Sequence, residues 1–188
     1  YYYMMIGTMA YYLFLRYDKF DKASFIFLAS FFLFYMIYEF LPCAGPQYYF
    51  KAVGTGAADT GVFPAVGYYF QTHTDMIVPE IKGIFSQLVI GAQEVGERPT
   101  AAFPSSHVGM STITMMLAWR IPNMKGRWLF WAMTPLYLLL CCATVYIKAH
   151  YLVDSIAGFF TAIAFFYFTS WLYGKTVGSA CCYRAESN

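Results

Sequence analysis

The chain has 188 residues, of which 60% are hydrophobic and 12% charged, and its formal net charge is +2. Soluble domains carry about 25% charged residues, so this composition argues against a soluble protein. The small net charge gives no reason to expect a nucleic-acid partner. Five cysteines occur as two adjacent pairs and one single residue, which is not the spacing of a disulfide framework or a metal site. We expect neither a metal nor another cofactor.

Apolar runs predict an all-α integral membrane protein, because about 20 apolar residues cross the hydrocarbon core as a helix. In chain order, we expect spans at about 1–16, 23–41, 105–120, 128–148 and 152–173. Residues 1–175 then form one transmembrane domain, and 176–188 form a cytoplasmic tail. The chain begins inside an apolar run with Tyr1 rather than methionine. We therefore expect a six-helix bundle of which five spans are present.

The long connection between the second and third spans, residues 43–104, begins with turn-rich sequence. Further along it, apolar residues recur at helical spacing, at Ile77, Ile81, Ile84 and Leu88. Such a pattern with polar residues between is typical of an amphipathic helix lying in the membrane interface. Long connections of this kind are often functional.

Three segments rich in basic residues predict the orientation of the chain: the connections after the first and third spans, and the segment after the fifth span. By the positive-inside rule, segments rich in lysine and arginine face the cytoplasm. This places residues 43–104 and the connection near residue 150 on the external side. The basic residues concerned are Arg16, Lys19, Lys22, Arg120, Lys125, Arg127, Lys175 and Arg184.

Two histidines and an aspartate are predicted to meet at that external face. His107 lies at the external end of the third span, in the stretch AFPSSHVG. His150 and Asp154 lie where the fourth span ends and the fifth begins. Because these two residues are four apart, one helical turn would place them on a common face.

This combination of residues is suited to phosphoryl chemistry. Ser105 or Ser106 can cap the helix that contains His107, and the free N–H groups of its first turn can bind an anion. One imidazole can then attack phosphorus while the other protonates the departing oxygen. Arg98 and Lys148 could neutralise phosphate oxygens. Arg98 could equally be a juxtamembrane anchor, and Lys148 a lysine whose charged end reaches the membrane surface.

The two motifs together resemble those of the type-2 phosphatidic acid phosphatase superfamily. FPSSHVG is similar to its PSGH-type motif, and ATVYIKAHYLVDSIAG to its last motif, in which an aspartate follows a histidine by four residues. The resemblance covers about residues 42–174 and implies a six-helix transmembrane bundle. It also implies that His150 is the nucleophile forming a phosphohistidine, that Asp154 orients it, and that His107 is the general acid.

Departures from the phosphatase pattern resemble one branch of the superfamily, the inositol phosphorylceramide synthases. Ala143 and Thr144 stand where the phosphatases have Ser-Arg, and Gly91 stands where they have a lysine. The sequences AFPS-x-H and AT-x-Y-x-x-x-HY-x-VD are similar to those of the synthase branch. A Gly-Pro segment also matches, although Gln47 replaces its arginine.

The resemblance implies a lipid phosphoester phosphotransferase, with a lipid phosphoester as donor and a ceramide-like lipid as the acceptor that it suggests. The alternative is a lipid phosphate phosphatase acting on phosphatidic acid, phosphatidylglycerophosphate or a polyprenyl phosphate. A transporter or scaffold is a third possibility, which the clustering of titratable residues at one face disfavours. We expect a protein of the bacterial plasma membrane with its site on the non-cytoplasmic face.

Overall fold

The computed structural model describes residues 1–77, 87, 91, 98–121 and 127–186, and its regular elements in these ranges are helical. Two short α-helices and two 3₁₀ turns, Tyr17–Lys19 and Tyr69–Gln71, accompany the long helices. The α-helices in chain order are α1 (Tyr2–Leu15), α2 (Phe20–Phe40), α3 (Pro46–Val53), α4 (Gly56–Thr60), α5 (Ser106–Trp119), α6 (Trp128–Tyr146) and α7 (Leu152–Glu186).

Among the described residues, three helical stretches are long and apolar enough to cross a membrane: Tyr17–Phe40, Trp128–Tyr146 and Leu152–Thr176. Over the described residues, this agrees with the predicted all-α integral membrane class. Helices α1 and α5 have 14 residues each, or about 21 Å at 1.5 Å per residue, which is shorter than the hydrocarbon core. The expected count of five spans stays a prediction.

The predicted C-terminal tail and the predicted interfacial helix are the two remaining expectations about the fold. Helix α7 continues to Glu186, through most of the segment that we expected to be a separate tail from residue 176. The predicted interfacial helix falls largely on residues 78–86 and 88–90, which lie outside the described residues.

Helix α5 is the centre of the bundle, and it contacts α1, α2, α6 and α7. Its residues Met110 and Ile113 are completely buried. Phe34 of α2 and Phe166 of α7 belong to the same apolar cluster. Large apolar side chains on the outer helix faces are exposed, as expected for a surface whose solvent is lipid.

The first turns of α5 and α7 are joined at one end of the bundle. The Ser105 hydroxyl caps α5 by accepting a hydrogen bond from the Val108 N–H, at 3.4 Å. The Ser105 N–H in turn donates to the backbone carbonyl of Asp154, at 3.0 Å. A Cβ built on Gly158 would collide with the Ser105 carbonyl. The absence of a side chain at Gly158 therefore allows the two helices to approach this closely.

Three loop segments pack together at the same end. The Cys43 N–H donates to the Thr100 carbonyl, and the Ala102 N–H donates to the Cys43 carbonyl, both at 3.1 Å. The Gln47 N–H donates to the Lys148 carbonyl at 3.0 Å. These bonds hold the segment that precedes α5 against the loop between α6 and α7.

Candidate active site

The fold brings together two histidines that are far apart in the sequence. His107 lies in the first turn of α5, and His150 lies in the loop just before α7. Nδ1 of His107 is 3.3 Å from Nε2 of His150, although the residues are separated by 43 positions. His150 is only 4% exposed. The structure therefore holds the two predicted imidazoles in direct contact at one end of the bundle.

Hydrogen bonding defines the tautomer of His150. Its Nδ1 lies 2.9 Å from the backbone carbonyl oxygen of Ala102. Because a carbonyl can only accept, Nδ1 must carry the hydrogen, and in the neutral ring Nε2 keeps its lone pair. In the contact between the rings, Nδ1–H of His107 then donates to Nε2 of His150. The nitrogen that faces the other histidine is thus the unprotonated one, as a nucleophile requires.

Asp154 lies close to His150 but is not its nearest hydrogen-bond partner. Its Oδ2 is 3.9 Å from Nδ1 of His150 and accepts a bond from the Tyr151 N–H at 2.8 Å. Asp154 is the third residue of α7. A carboxylate at this position can accept a hydrogen bond from the N–H of the residue before the helix, here Tyr151, and so caps the start of the helix. The position that we expected Asp154 to fill is taken by the Ala102 carbonyl, so its orienting role stays a prediction.

The substitution Asp154→Asn separates the capping role from the role of the charge. An asparagine oxygen can still accept from the Tyr151 N–H, so we expect the melting temperature to change little. A carboxylate 3.9 Å from the ring also favours a positively charged imidazole during the reaction, and the amide lacks that charge. We expect turnover to fall about 10- to 1,000-fold, a loss of the size found when one aligned catalytic group is removed. Equal turnover in the variant and the wild type would make Asp154 a helix cap only.

A cavity of about 310 Å³ opens over the two histidines. Arg98 and Ser106 line it, whereas Ser105 is occupied as the cap of α5. Lys148 is exposed and adopts a left-handed backbone conformation, with φ of 61°, and it does not line the cavity. Among the described lysines and arginines, Arg98 therefore lines the cavity and can meet a phosphate group there. Most of the remaining wall is aromatic: Tyr1, Tyr2, Phe31, Tyr35, Tyr38 and Tyr48.

Sequence reasoning missed two groups that shape this site. The Ala102 carbonyl is a backbone group, which no residue type in a motif can reveal. The Tyr38 hydroxyl donates to the Pro104 carbonyl at 2.8 Å and so holds the loop that leads into α5. Its only sequence signal was a tyrosine near the end of an apolar run, and the chain has 18 tyrosines.

Burial lowers the pKa of His150 from 6.5 to about 4, and the hydrogen bond to Ala102 offsets part of this effect. The ring is therefore neutral at pH 7. Between pH 6.5 and about 4, His150 is protonated in the unfolded chain but stays neutral in the folded protein. This group consequently makes the fold less stable as the pH falls through that range.

The pH dependence of turnover follows from the same shift. The pH profile of kcat/KM reports the ionisation of groups in the free enzyme. We expect the loss of activity on the acid side that is due to His150 to be centred near pH 4. A profile measured in detergent, with the folded fraction followed at each pH by circular dichroism, checks this. An acid limb centred near the ordinary histidine value of 6.5 would show that His150 titrates as an open, hydrated ring.

Among the described residues, no group of three or more histidine, cysteine, aspartate or glutamate side chains is placed to hold a metal ion. That the reaction needs no metal stays a prediction. The imidazoles, the Asp154 carboxylate and Arg98 are the groups that the proposed reaction uses.

Two imidazoles in contact beneath a cavity at one end of a helical bundle are the arrangement that a membrane-embedded enzyme would need. The family model of the PAP2 superfamily matches residues 1–168, and the chain belongs to that superfamily. This confirms the predicted superfamily and indicates phosphatase-type chemistry on a lipid phosphoester. No curated protein and no solved structure gave a match.

Proposed function

We propose that this protein is a lipid phosphoester phosphotransferase similar to the inositol phosphorylceramide synthases, with His150 as the nucleophile. The observation that carries the proposal is the unprotonated Nε2 of His150, which lies 3.3 Å from His107 at a cavity also lined by Arg98. A nucleophile, a proton donor and a cation for phosphate oxygens are thus available at one point.

The first step transfers phosphorus from the donor lipid to the enzyme. The Nε2 lone pair of His150 attacks phosphorus, and the bond between phosphorus and the leaving lipid oxygen breaks. His107, entering the step as imidazolium, gives its proton to that oxygen. The negative charge of the bound phosphate favours this charged form. His150 becomes positively charged as the bond to phosphorus forms, and the carboxylate of Asp154 stabilises that charge.

The second step releases the enzyme. A hydroxyl of the acceptor attacks phosphorus and loses its proton to His107, which is now neutral. The bond between phosphorus and Nε2 breaks, and its electron pair returns to His150. In transfer the headgroup stays on phosphorus throughout, whereas in hydrolysis water takes the place of the acceptor.

Substrate entry requires the two rings to separate. A gap of 3.3 Å between the ring nitrogens is a hydrogen-bond distance and leaves no room for a phosphoryl group. The bound phosphate replaces the contact between the histidines with one contact to each. The first turn of α5, which follows the Ser105 cap, presents its N–H groups to an anion at the same place.

The motif pattern favours transfer over hydrolysis, since AFPSSH and ATVYIKAHYLVD are similar to the synthase branch. A ceramide-like acceptor and a phosphatidylinositol-like donor follow from that similarity. The second candidate is a lipid phosphate phosphatase, which membership of the superfamily favours.

We also propose that the site faces away from the cytoplasm, in a bacterial plasma membrane. The basic residues Lys19, Lys22 and Arg120 lie at the opposite end of the bundle from the histidines. The positive-inside rule assigns that opposite end to the cytoplasmic side.

The fate of labelled phosphorus distinguishes the candidates. The purified protein receives phosphatidylinositol labelled at phosphorus, with and without ceramide, while a parallel sample receives labelled phosphatidic acid. Label in a new sphingolipid only when ceramide is present supports transfer. Release of inorganic phosphate from phosphatidic acid without any transfer would make the protein a phosphatase. If neither reaction occurs, or if His107→Ala leaves turnover unchanged, the catalytic proposal is wrong and a transport or scaffold role becomes the better account.

A further inference from the structure

A second polar cavity lies at the end of the bundle opposite to the histidines. Its volume is about 320 Å³, and it is enclosed by the end of α1, the beginning of α2, the end of α5 and the second half of α7. Arg120 follows α5 directly, whereas His107 lies in its first turn. The two cavities are therefore separated by about 20 Å along α5.

The rim of this cavity is positively charged. Lys19, Lys22 and Arg120 line it, and Asp18 is the acidic residue among its described lining. Asp18 is already paired, because both of its carboxylate oxygens lie 3.1 Å from guanidinium nitrogens of Arg16. Within the described lining, Lys22 and Arg120 are thus left with no carboxylate of their own, and Lys19 lies near the pair of Asp18 and Arg16.

The cavity has an apolar floor that includes Ala23, Ile26 and Phe166, and its lining also carries hydroxyl groups. The Tyr12 hydroxyl is held by the Leu117 carbonyl at 2.9 Å. The Arg120 guanidinium carbon lies 5.4 Å from the ring centre of Phe166, a buried side chain. Arg120 itself lines the cavity, and Ser170 and Tyr173 contribute hydroxyl groups to the same lining.

We propose that this cavity binds the phosphate group of an anionic phosphoester, either the headgroup of a glycerophospholipid or a soluble phosphoester. Arginine and lysine around a pocket between transmembrane helices are the chemistry that recognises such headgroups, and the cytoplasmic leaflet is the anionic one. The apolar floor suits the glycerol and first methylenes of a lipid, which a free phosphate lacks. The site is separate from the histidine pair and does not depend on the catalytic proposal.

Binding is measured on the full chain in nanodiscs. One set of nanodiscs contains phosphatidylcholine only, and the other also contains about one fifth phosphatidylglycerol. The melting temperature is expected to be higher with phosphatidylglycerol, and native mass spectrometry is expected to show one retained anionic lipid. Removing one lysine or arginine near a membrane surface costs about 1 kcal/mol, or about fivefold in affinity. The double variant Lys22→Gln/Arg120→Gln should therefore bind phosphatidylglycerol about 25-fold more weakly.

Two variants control this comparison. Lys175→Gln removes a charge from the same end of α7 without changing the cavity lining and should bind normally. Lys22→Arg keeps the charge and should retain binding, which separates lost binding from lost folding. A third arm adds soluble glycerol 3-phosphate to protein in detergent. Binding there that needs Lys22 and Arg120 would identify a soluble phosphoester as the source of the phosphate group.

Equal lipid retention by the double variant and the wild type, without binding in the soluble arm, would overturn the proposal. So would an equal loss in Lys175→Gln, because it would show that total charge, not this cavity, governs binding.

Discussion

His150→Ala is expected to abolish turnover of lipid phosphoesters, with a loss of at least about a thousandfold, because the nucleophilic nitrogen is removed. His107→Ala is expected to lose about 100- to 10,000-fold, the usual contribution of a general acid or base. Turnover of labelled phosphatidylinositol and phosphatidic acid by both variants measures this. The melting temperature of each variant in detergent shows whether the fold survives.

The leaving group separates the two roles further. An aryl phosphoester with an acidic leaving group needs no proton from the enzyme when its bond to phosphorus breaks. His107→Ala should therefore regain much of its activity on such a substrate, whereas His150→Ala should stay inactive. Recovery in His150→Ala and not in His107→Ala would exchange the two assignments.

Gly158→Ala is expected to disrupt the joint between α5 and α7. The added methyl group would collide with the backbone carbonyl of Ser105. Ser105 is the residue that caps α5, so its backbone is fixed at the start of that helix. Overpacking of this kind usually costs about 1–3 kcal/mol, and here the backbone must move to relieve it. The helix start that carries His107 would shift with it. We expect both a lower melting temperature in detergent and a large loss of turnover.

Gly174→Ala is the matched control on the same helix. A Cβ at Gly174 would meet nothing within 4 Å. Alanine favours a helix interior over glycine by about 1 kcal/mol, so this variant should be as stable as the wild type or slightly more so. If Gly158→Ala behaved like Gly174→Ala, the close approach of α7 to Ser105 would have no role in stability or activity.

Apolar run length was enough to predict the long helices, because a membrane helix must satisfy its backbone internally and present apolar side chains. Counting the membrane crossings also placed His107 and His150 at the same end of the bundle. The distance between them depends on how loops 43–47, 98–105 and 147–151 pack, and the pattern of residue types does not encode this packing.

The hydrogen-bond partner of His150 differs from the one that the sequence suggested. The spacing of His150 and Asp154 suggested a direct pair, yet a helix that begins at Leu152 turns the Asp154 carboxylate towards the Tyr151 N–H. Nδ1 of His150 donates instead to the backbone carbonyl of Ala102, which lies 48 residues earlier in the chain. Lys148 likewise lies near His150 in the sequence, but it does not line the cavity over the histidines.

The most direct test of the central claim is to trap the covalent intermediate. The protein is mixed rapidly with a lipid phosphoester labelled at phosphorus, quenched in alkaline denaturant to preserve a bond between phosphorus and nitrogen, and digested for mass spectrometry. We predict label on the peptide that contains His150, its absence in His150→Ala, and its accumulation when the acceptor is withheld. Normal turnover with label on another residue, or with His150→Ala fully active, would contradict the account.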